Sequence, residues 1–394
     1  MCLSPTFPLF TGCDAGDARL CCCALVLLAG LLLLLTPGSA HADAVIGSGT
    51  PASCQSEQAR NDFRIAVEAG GTITFNCGAA PVVIEVDTNL TSQTAVVDGG
   101  GKVMLDGRDA IQHFYVTGSG NLTLNNITLI DGGGVTGGAI FVDTQATVTF
   151  NNGHIVSSGS SATNGGSIYN RGTLILNNVG VGASNASVHG GAIYNAGGSV
   201  TLQKTTLRNN EAAQRGGGIY SAGGSLTLTN STIGENRAQG GGGLFLTGGA
   251  AATILNTTFG LNRASTGGAL WNFSGTTSVK NSIFAMSLQL DGVTPQLNCD
   301  GATLTSQGRN LVDDGSCIAA SANDKRNTDA RLGGFDLNGG VGATFAPQAD
   351  SPAIDYALDC PASDQRGYPR PLGAGCDAGA VERGALLFLP LAMR

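Results

Sequence analysis

Residues 190–215 read GGAIYNAGGSVTLQKTTLRNNEAAQR, and residues 216–241 read GGGIYSAGGSLTLTNSTIGENRAQGG. Set one above the other, the two stretches match in their glycine pairs, their Ile-Tyr step and their alternating strand-like run. The pattern extends in both directions. LTLNN at 122–126 returns as VTFNN at 148–152, LILNN at 174–178, VTLQK at 200–204, LTLTN at 226–230 and ATILN at 252–256, closing with SVKN at 278–281. The last residues of these runs, Asn126, Asn152, Asn178, Lys204, Asn230 and Asn256, stand 26 apart, and Asn281 follows after 25. A second series lies half a period away, where glycines precede Ile140, Ile168, Ile193, Ile219, Leu244 and Leu270. An aromatic follows each: Phe141, Tyr169, Tyr194, Tyr220, Phe245 and Trp271. A fixed period of this length marks a stacked repeat architecture.

Each unit is too short for a long helix, and its pieces alternate apolar and polar as strands do. In LTLTN, Leu226 and Leu228 share one face while Thr227 takes the other. Glycine pairs turn the chain between strands. Coils that place equivalent side chains directly above one another, about 4.8 Å apart, predict an all-β fold: a single right-handed parallel β-helix. Leucine-rich horseshoes need leucine or helix positions that are absent, and a coiled coil needs a different apolar spacing. Because each coil meets only its two neighbours, the central coils are expected to be interchangeable.

Further rows follow from the same alignment. Asn210, Asn236 and Asn262 recur 26 apart, as do Ala212, Ala238 and Ala264. Glu211, Arg237 and Arg263 share a row, which sets a carboxylate beside a guanidinium on the next coil. The asparagines read either as a sugar-binding strip or as turn residues whose side chains bond backbone and stack along the axis. The second reading demands less.

The flanks divide the chain. Residues 24–35 are an apolar run followed by TPGSAHA, which predicts a signal peptide over 1–42, although Arg19 is the only basic residue before the run. A lipoprotein would need a cysteine after the run, whereas Cys21, Cys22 and Cys23 precede it. An N-terminal cap is expected over 43–80, with an amphipathic helix at 56–69 burying Phe63, Ala66 and Val67 and the first strand at ITF (73–75). The β-helix is expected over 81–287 and an irregular cap over 288–383. The apolar segment 384–394 reads as a closing strand or a surface-retention tag, too short to span a bilayer. Removing the signal leaves six cysteines, and an even number in an exported chain predicts disulfides. Local spacing favours Cys54–Cys77, Cys299–Cys317 and Cys360–Cys376 among 15 pairings. No CxxC occurs, and His113, His154 and His189 are scattered, so no metal site and no cofactor are expected.

The tail SPAIDYALDCPASDQRGYPRPLGAGCDAGAVE at 351–382 carries SPAID, a cysteine, DQRG, RP and CDxGA followed by a glutamate. With NCDG from Asn298, GRNLVDDGSC at 308–317 and NTDARLGGFDLNGG at 327–340, it resembles secreted bacterial proteins of the choice-of-anchor Q domain family, within the pectate-lyase-like superfamily. The glycine-rich units are also similar to polymorphic outer-membrane protein repeats. Phe345 stands where relatives usually carry histidine. The resemblance implies a secreted or cell-surface location and no common activity.

Function is then weighed by chemistry. The net charge of −8 invites neither nucleic acid nor an anionic membrane. Cleaving an acidic polysaccharide, the enzyme reading, needs clustered or opposed carboxylates. From Thr144 to Leu290 the only acids are Glu211 and Glu235. The remaining candidates are Asp98, Asp106, Asp109 and Asp131 with Lys102 and Arg108, and the Asp-Gly steps at Asp98 and Asp106 also read as turns. No catalytic residue is assigned. The sequence favours a non-catalytic structural or adhesive rod whose partner is a cell-surface polysaccharide or envelope component, with no membrane span in the mature chain. A glycan site on the aromatic row competes with packing of those rings against turns. Ice or crystal-surface binding would use Thr123, Thr149, Thr201, Thr227 and Thr253, a row broken by Ile175.

Overall fold

The computed structural model describes residues 43–159 and 161–384. The expected signal segment and residues 385–394 lie outside the described residues. The chain forms a single parallel β-solenoid of about ten turns. Each coil contributes one strand to each of three parallel sheets. The first sheet stacks Phe114, Ile140, Ile168, Ile193, Ile219, Leu244 and Leu270 in register. The second stacks Leu124, Phe150, Leu176, Leu202, Leu228 and Ile254, all at most 1% exposed. The third stacks Leu105, Leu129, Ile155, Val181, Leu207, Ile233, Phe259 and Phe284. The core is therefore a narrow column of apolar rungs. Each large side chain in it contributes roughly 1.5–3 kcal/mol by burial.

Two corner devices explain the spacing. Between the second and third sheets the chain turns through one left-handed residue per coil. These are Asn126, Asn152, Asn178, Lys204, Asn230, Asn256 and Asn281, with φ between 45° and 57°. Asparagine tolerates this region better than most side chains, and Lys204 is the single exception in the row. Between the third and first sheets, Asn210, Asn236 and Asn262 are buried. Nδ2 of Asn210 donates to Oδ1 of Asn236 (2.9 Å) and to the Val181 carbonyl (3.1 Å), and Asn236 repeats the pattern with Asn262 and Leu207. The row is thus an interior ladder that satisfies backbone, and no sugar reaches it. Gly191 follows this corner. A Cβ there would lie 2.6 Å from the Glu211 backbone and collide with the Gly217 carbonyl of the next coil.

At the N-terminal end, helix α1 (Pro51–Gln55) leads into α2 (Glu57–Ala69). Ser56 caps α2 by accepting from the Ala59 amide (3.1 Å), and Gly70 at φ 85° ends it. Phe63, Ala66 and Val67 are buried, with Phe63 5.3 Å from the Phe75 ring. The disulfide Cys54–Cys77 ties the cap to the first coil. The opening rung is not ITF but Ala44–Ile46, which pairs in parallel with Gly71–Phe75. Three residues are too few to display a period.

The stack also runs past residue 287. After an excursion over 288–298, Cys299–Gly301, Thr305–Ser306 and Leu311–Val312 supply another rung, tied by Cys299–Cys317. Beyond it the chain is irregular apart from the antiparallel hairpin of Leu332–Asp336 and Thr344–Pro347. This C-terminal segment does more than close an end. It runs back along the outside of the third sheet as a strap.

Candidate functional site

Three features that the sequence singles out, the aromatic row, the early acids and the tail motif, have distinct places in the structure. The aromatic row is a continuous column. Centroids are 4.5 Å apart for Tyr115–Phe141, 5.4 Å for Phe141–Tyr169, 5.0 Å for Tyr169–Tyr194 and Tyr194–Tyr220, and 5.1 Å for Tyr220–Phe245, all stacked. Trp271 then meets Phe245 edge-on at 5.2 Å. Tyr115 joins the column although it precedes the regular glycine series. From Tyr115 to Phe245 the stacked rings cover one another's faces along the axis. A sugar that packs against a ring needs a free face, and the inner rings of this stack offer none.

Two of the candidate acids are engaged in turns, and the candidate Arg108 is engaged in ion pairs. Asp98 Oδ1 accepts from the Gly100 amide (2.9 Å) and from Asn126 Nδ2 (3.1 Å), and Asp106 Oδ1 accepts from the Arg108 amide (2.7 Å). Arg108 pairs with Glu85 (3.3 Å) and Asp87 (3.2 Å). Partial burial, then Asp109 and Asp106 nearby, push the Asp131 carboxyl above its ordinary range. Lys102 is exposed. Asp98 thus lies at the corner after the second sheet, while Asp106, Asp109 and Asp131 group at the corner after the third.

The tail motif builds a clasp. Arg370, 9% exposed, donates to the Asp377 (2.6 Å) and Gly379 (2.8 Å) carbonyls and pairs with Glu382 at 3.3 Å. Glu382 also accepts from the Leu372 and Asp377 amides, both at 2.9 Å. Burial is the leading cause that raises Asp377 to about 6. Asp364 accepts from the Glu382 amide (3.0 Å) and Arg366 Nε (2.8 Å). Gln365 faces the solenoid, donating to Thr206 Oγ1 (2.7 Å) and accepting from Thr232 Oγ1 (2.6 Å). The strap's ring pair, Phe335 and Phe345 with centroids 4.4 Å apart, lies on Gly234 and Gly260 of the third sheet. Side chains on those glycines would come within 2.8 and 2.7 Å of the rings. The disulfide Cys360–Cys376 closes the strap on itself. The signature residues thus fasten backbone, and Ile354, Asp355, Arg366, Tyr368, Leu372 and Glu382 among them also line a cavity of about 1000 Å³.

Also open is a strip of amides beside the second-to-third corner. Asn125, Asn151, Asn177 and Gln203 stack in register on the outer face of the second sheet. Asn151 Nδ2 donates to Asn125 Oδ1 and Asn177 Nδ2 to Asn151 Oδ1, both at 2.9 Å. Alongside, Asn178 Nδ2 donates to Asn152 Oδ1 at 2.9 Å. With Lys204 these side chains line a shallow groove of about 430 Å³. An asparagine in such a ladder uses one hydrogen and one lone pair on its neighbours. The second hydrogen and second lone pair face outward, which is donor–acceptor chemistry suited to hydroxyls. Sequence reasoning missed this strip because only the last residue of each Asn-Asn doublet was aligned. The first residue of each carried the signal.

Among known protein families, curated proteins and solved structures, none matches this chain.

Proposed function

We propose that the chain is a secreted or cell-surface structural β-helix that engages surface glycans through the amide strip, without catalysing their breakdown. The strip itself carries the reading: hydroxyl-matching amides repeated at coil spacing on an uncovered flank. A polymer with regularly spaced hydroxyls can use such a ladder in increments, one coil at a time. The exported location is supported by three disulfides, which persist in oxidising compartments. No helix among the described residues is long and apolar enough to cross a membrane. A kinship with choice-of-anchor Q proteins belongs to the same proposal and rests on the sequence motif at 351–382.

Cell fractionation with intact mass of the purified protein tests location, and a glycan array tests binding. Binding that weakens when Asn151→Ala and Asn177→Ala are combined, with no release of sugar, is the expected result. An array on which no glycan is retained, or turnover abolished by Asp98→Asn or Asp131→Asn, overturns the reading.

A further inference from the structure

We infer that the amide strip selects acidic glycans, holding one carboxylate or sulfate at Lys204 and neutral sugar hydroxyls along Asn177, Asn151 and Asn125. This rests on the glycan-binding reading above and deepens it. The whole chain is acidic, yet its middle is not. Between Thr144 and Leu290 stand seven basic residues (Arg171, Lys204, Arg208, Arg215, Arg237, Arg263 and Lys280) against two acids, a local balance of +5 within an overall −8.

The structure accounts for most of these cations. Glu235 pairs with Arg208 (3.2 Å) and Glu211 with Arg237, so both acids of the region are already engaged. Arg171 pairs with Asp143 (3.5 Å) and Lys280 with Asp359 of the strap (3.1 Å). Arg215 lies over the Phe245 ring, 5.0 Å from its centroid. The Arg263 guanidinium lies against the Gly292 turn of the excursion. Lys204 differs: among the described residues neither a carboxylate nor an aromatic ring meets its ammonium, and unlike Arg215 and Arg263 it lines the groove. It also stands where every other residue of its row is asparagine, at φ 53°. A lysine there gives up a favourable corner residue for a positive charge beside the amides.

The opposite end has the opposite sign. Asp98 is the register partner of Asn125, so the strip runs from a carboxylate to an ammonium. An anionic group is attracted at one end and repelled at the other, which gives a bound chain a preferred direction as well as a preferred charge.

Lys204→Asn is the direct test, because it restores the corner residue of the row and should fold at least as well as the parent. Both proteins are applied to an array carrying neutral glycans beside their carboxylated and sulfated counterparts. The parent should prefer the acidic members, with the preference falling as salt rises. Lys204→Asn should reduce acidic binding by up to roughly fivefold, the range of an exposed ion pair, and leave neutral binding unchanged. Asp98→Asn should strengthen acidic binding. Carboxylated against sulfated spots identify the anion. Equal binding of neutral and acidic members, or an acidic preference that survives Lys204→Asn, overturns the selectivity and leaves glycan binding standing. Retention of no glycan by either protein overturns both.

Discussion

The coils before Thr206 and the coils from Thr206 to Ala285 share one period and one core, but only the second group is sheathed. Along the later coils the strap binds the third sheet rung by rung. Thr206 donates to the Ala343 carbonyl (2.9 Å), Thr258 accepts from the Ala380 amide (3.0 Å), and Asn230 and Asn281 donate to the Ser363 and Leu358 carbonyls, both at 2.8 Å. Along the earlier coils the same positions, His154 and Gly180, face a groove bounded only by the strap's tip at Leu337, Val341 and Gly342. The comparison teaches that a repeat with identical internal rungs can still be divided by what lies on its outside. Nearest-neighbour additivity holds for the bare coils and fails for the sheathed ones.

Coil deletion separates the two regions most strongly. Removing residues 153–178 joins Asn152 to Val179, keeps every row in register and, among the described residues, takes away no hydrogen bond to the strap. The product should remain soluble and cooperatively folded, about 4.8 Å shorter. Removing residues 231–256 also keeps the rows in register, yet it deletes Thr232 and draws Thr206 and Thr258 one rung closer together. The strap, whose own disulfide and clasp fix its length, then no longer matches them. Circular dichroism melts should show a cooperative transition for the first deletion and a lowered or split one for the second. Equal behaviour would mean that the strap contributes little to the fold.

A single glycine tests the same contrast at smaller scale. Gly260→Val puts a side chain where the Phe345 ring lies, and overpacking of this kind costs about 1–3 kcal/mol. Gly180→Val meets only the half-buried His154 ring, at 2.7 Å, which can swing toward solvent. Its cost should stay below about 1 kcal/mol. Chemical denaturation of both variants ranks them, and the reverse order would show that the ring pair is loosely held.

Acid should affect the two regions in opposite directions. His113 is fully buried in the bare region, its Nε2 2.9 Å from the Leu105 carbonyl, and burial lowers it to about 4. Below 6.5 the unfolded chain takes up this proton first, so stability is lost as pH falls from 6.5 to about 4. At pH 5 the loss is about 2 kcal/mol. Asp377 in the strap has the opposite sign. Raised to about 6, it binds a proton in the folded state before the unfolded one does, so its contribution grows as pH falls from 6 toward 3.8. Relative to the parent, the urea midpoint at pH 5 should therefore rise against that at pH 7 in His113→Gln and fall against it in Asp377→Asn. A pH response unchanged by either substitution removes these groups from the account.

The solenoid was legible because its rungs obey one spacing, and a strict period survives any ignorance of tertiary contacts. The disulfide pairs were legible for a related reason, since each closes a short local loop. The strap was not. Its anchors, Thr206 with Gln365 and Thr258 with Ala380, lie more than a hundred residues apart in the chain, and no periodicity links them. Gly234 and Gly260 looked like ordinary breaks in a strand, whereas the absent side chains make room for Phe335 and Phe345. Phe345 itself was noticed only as a departure from a family pattern. The amide strip was half visible, in the doublets of LTLNN and LILNN. Its neighbour Lys204 was aligned in its row, but its missing ion partner emerges only from the three-dimensional pairing of the other charges.

The smallest effect concerns the outer face of the second sheet, which stays uncovered in both regions. Thr123, Thr149, Ile175, Thr201, Thr227 and Thr253 stack there in register, half-buried or exposed. Thr201→Val keeps the branching that suits a strand and replaces a hydroxyl for which no internal partner is required. The change should shift stability by less than about 0.5 kcal/mol, and the same holds for Thr227→Val in the sheathed coils, because the strap covers the third sheet and not the second. Gly191→Val, ten residues earlier in the same coil, should be far more damaging, since its side chain meets backbone on two sides. Thermal melts of the three variants provide the check. A loss at Thr227 several times that at Thr201 would mean that the sheath reaches the second sheet and that the two regions differ on more than one face. Matching losses at Thr201 and Gly191 would instead show that inside and outside have been wrongly assigned along the whole stack.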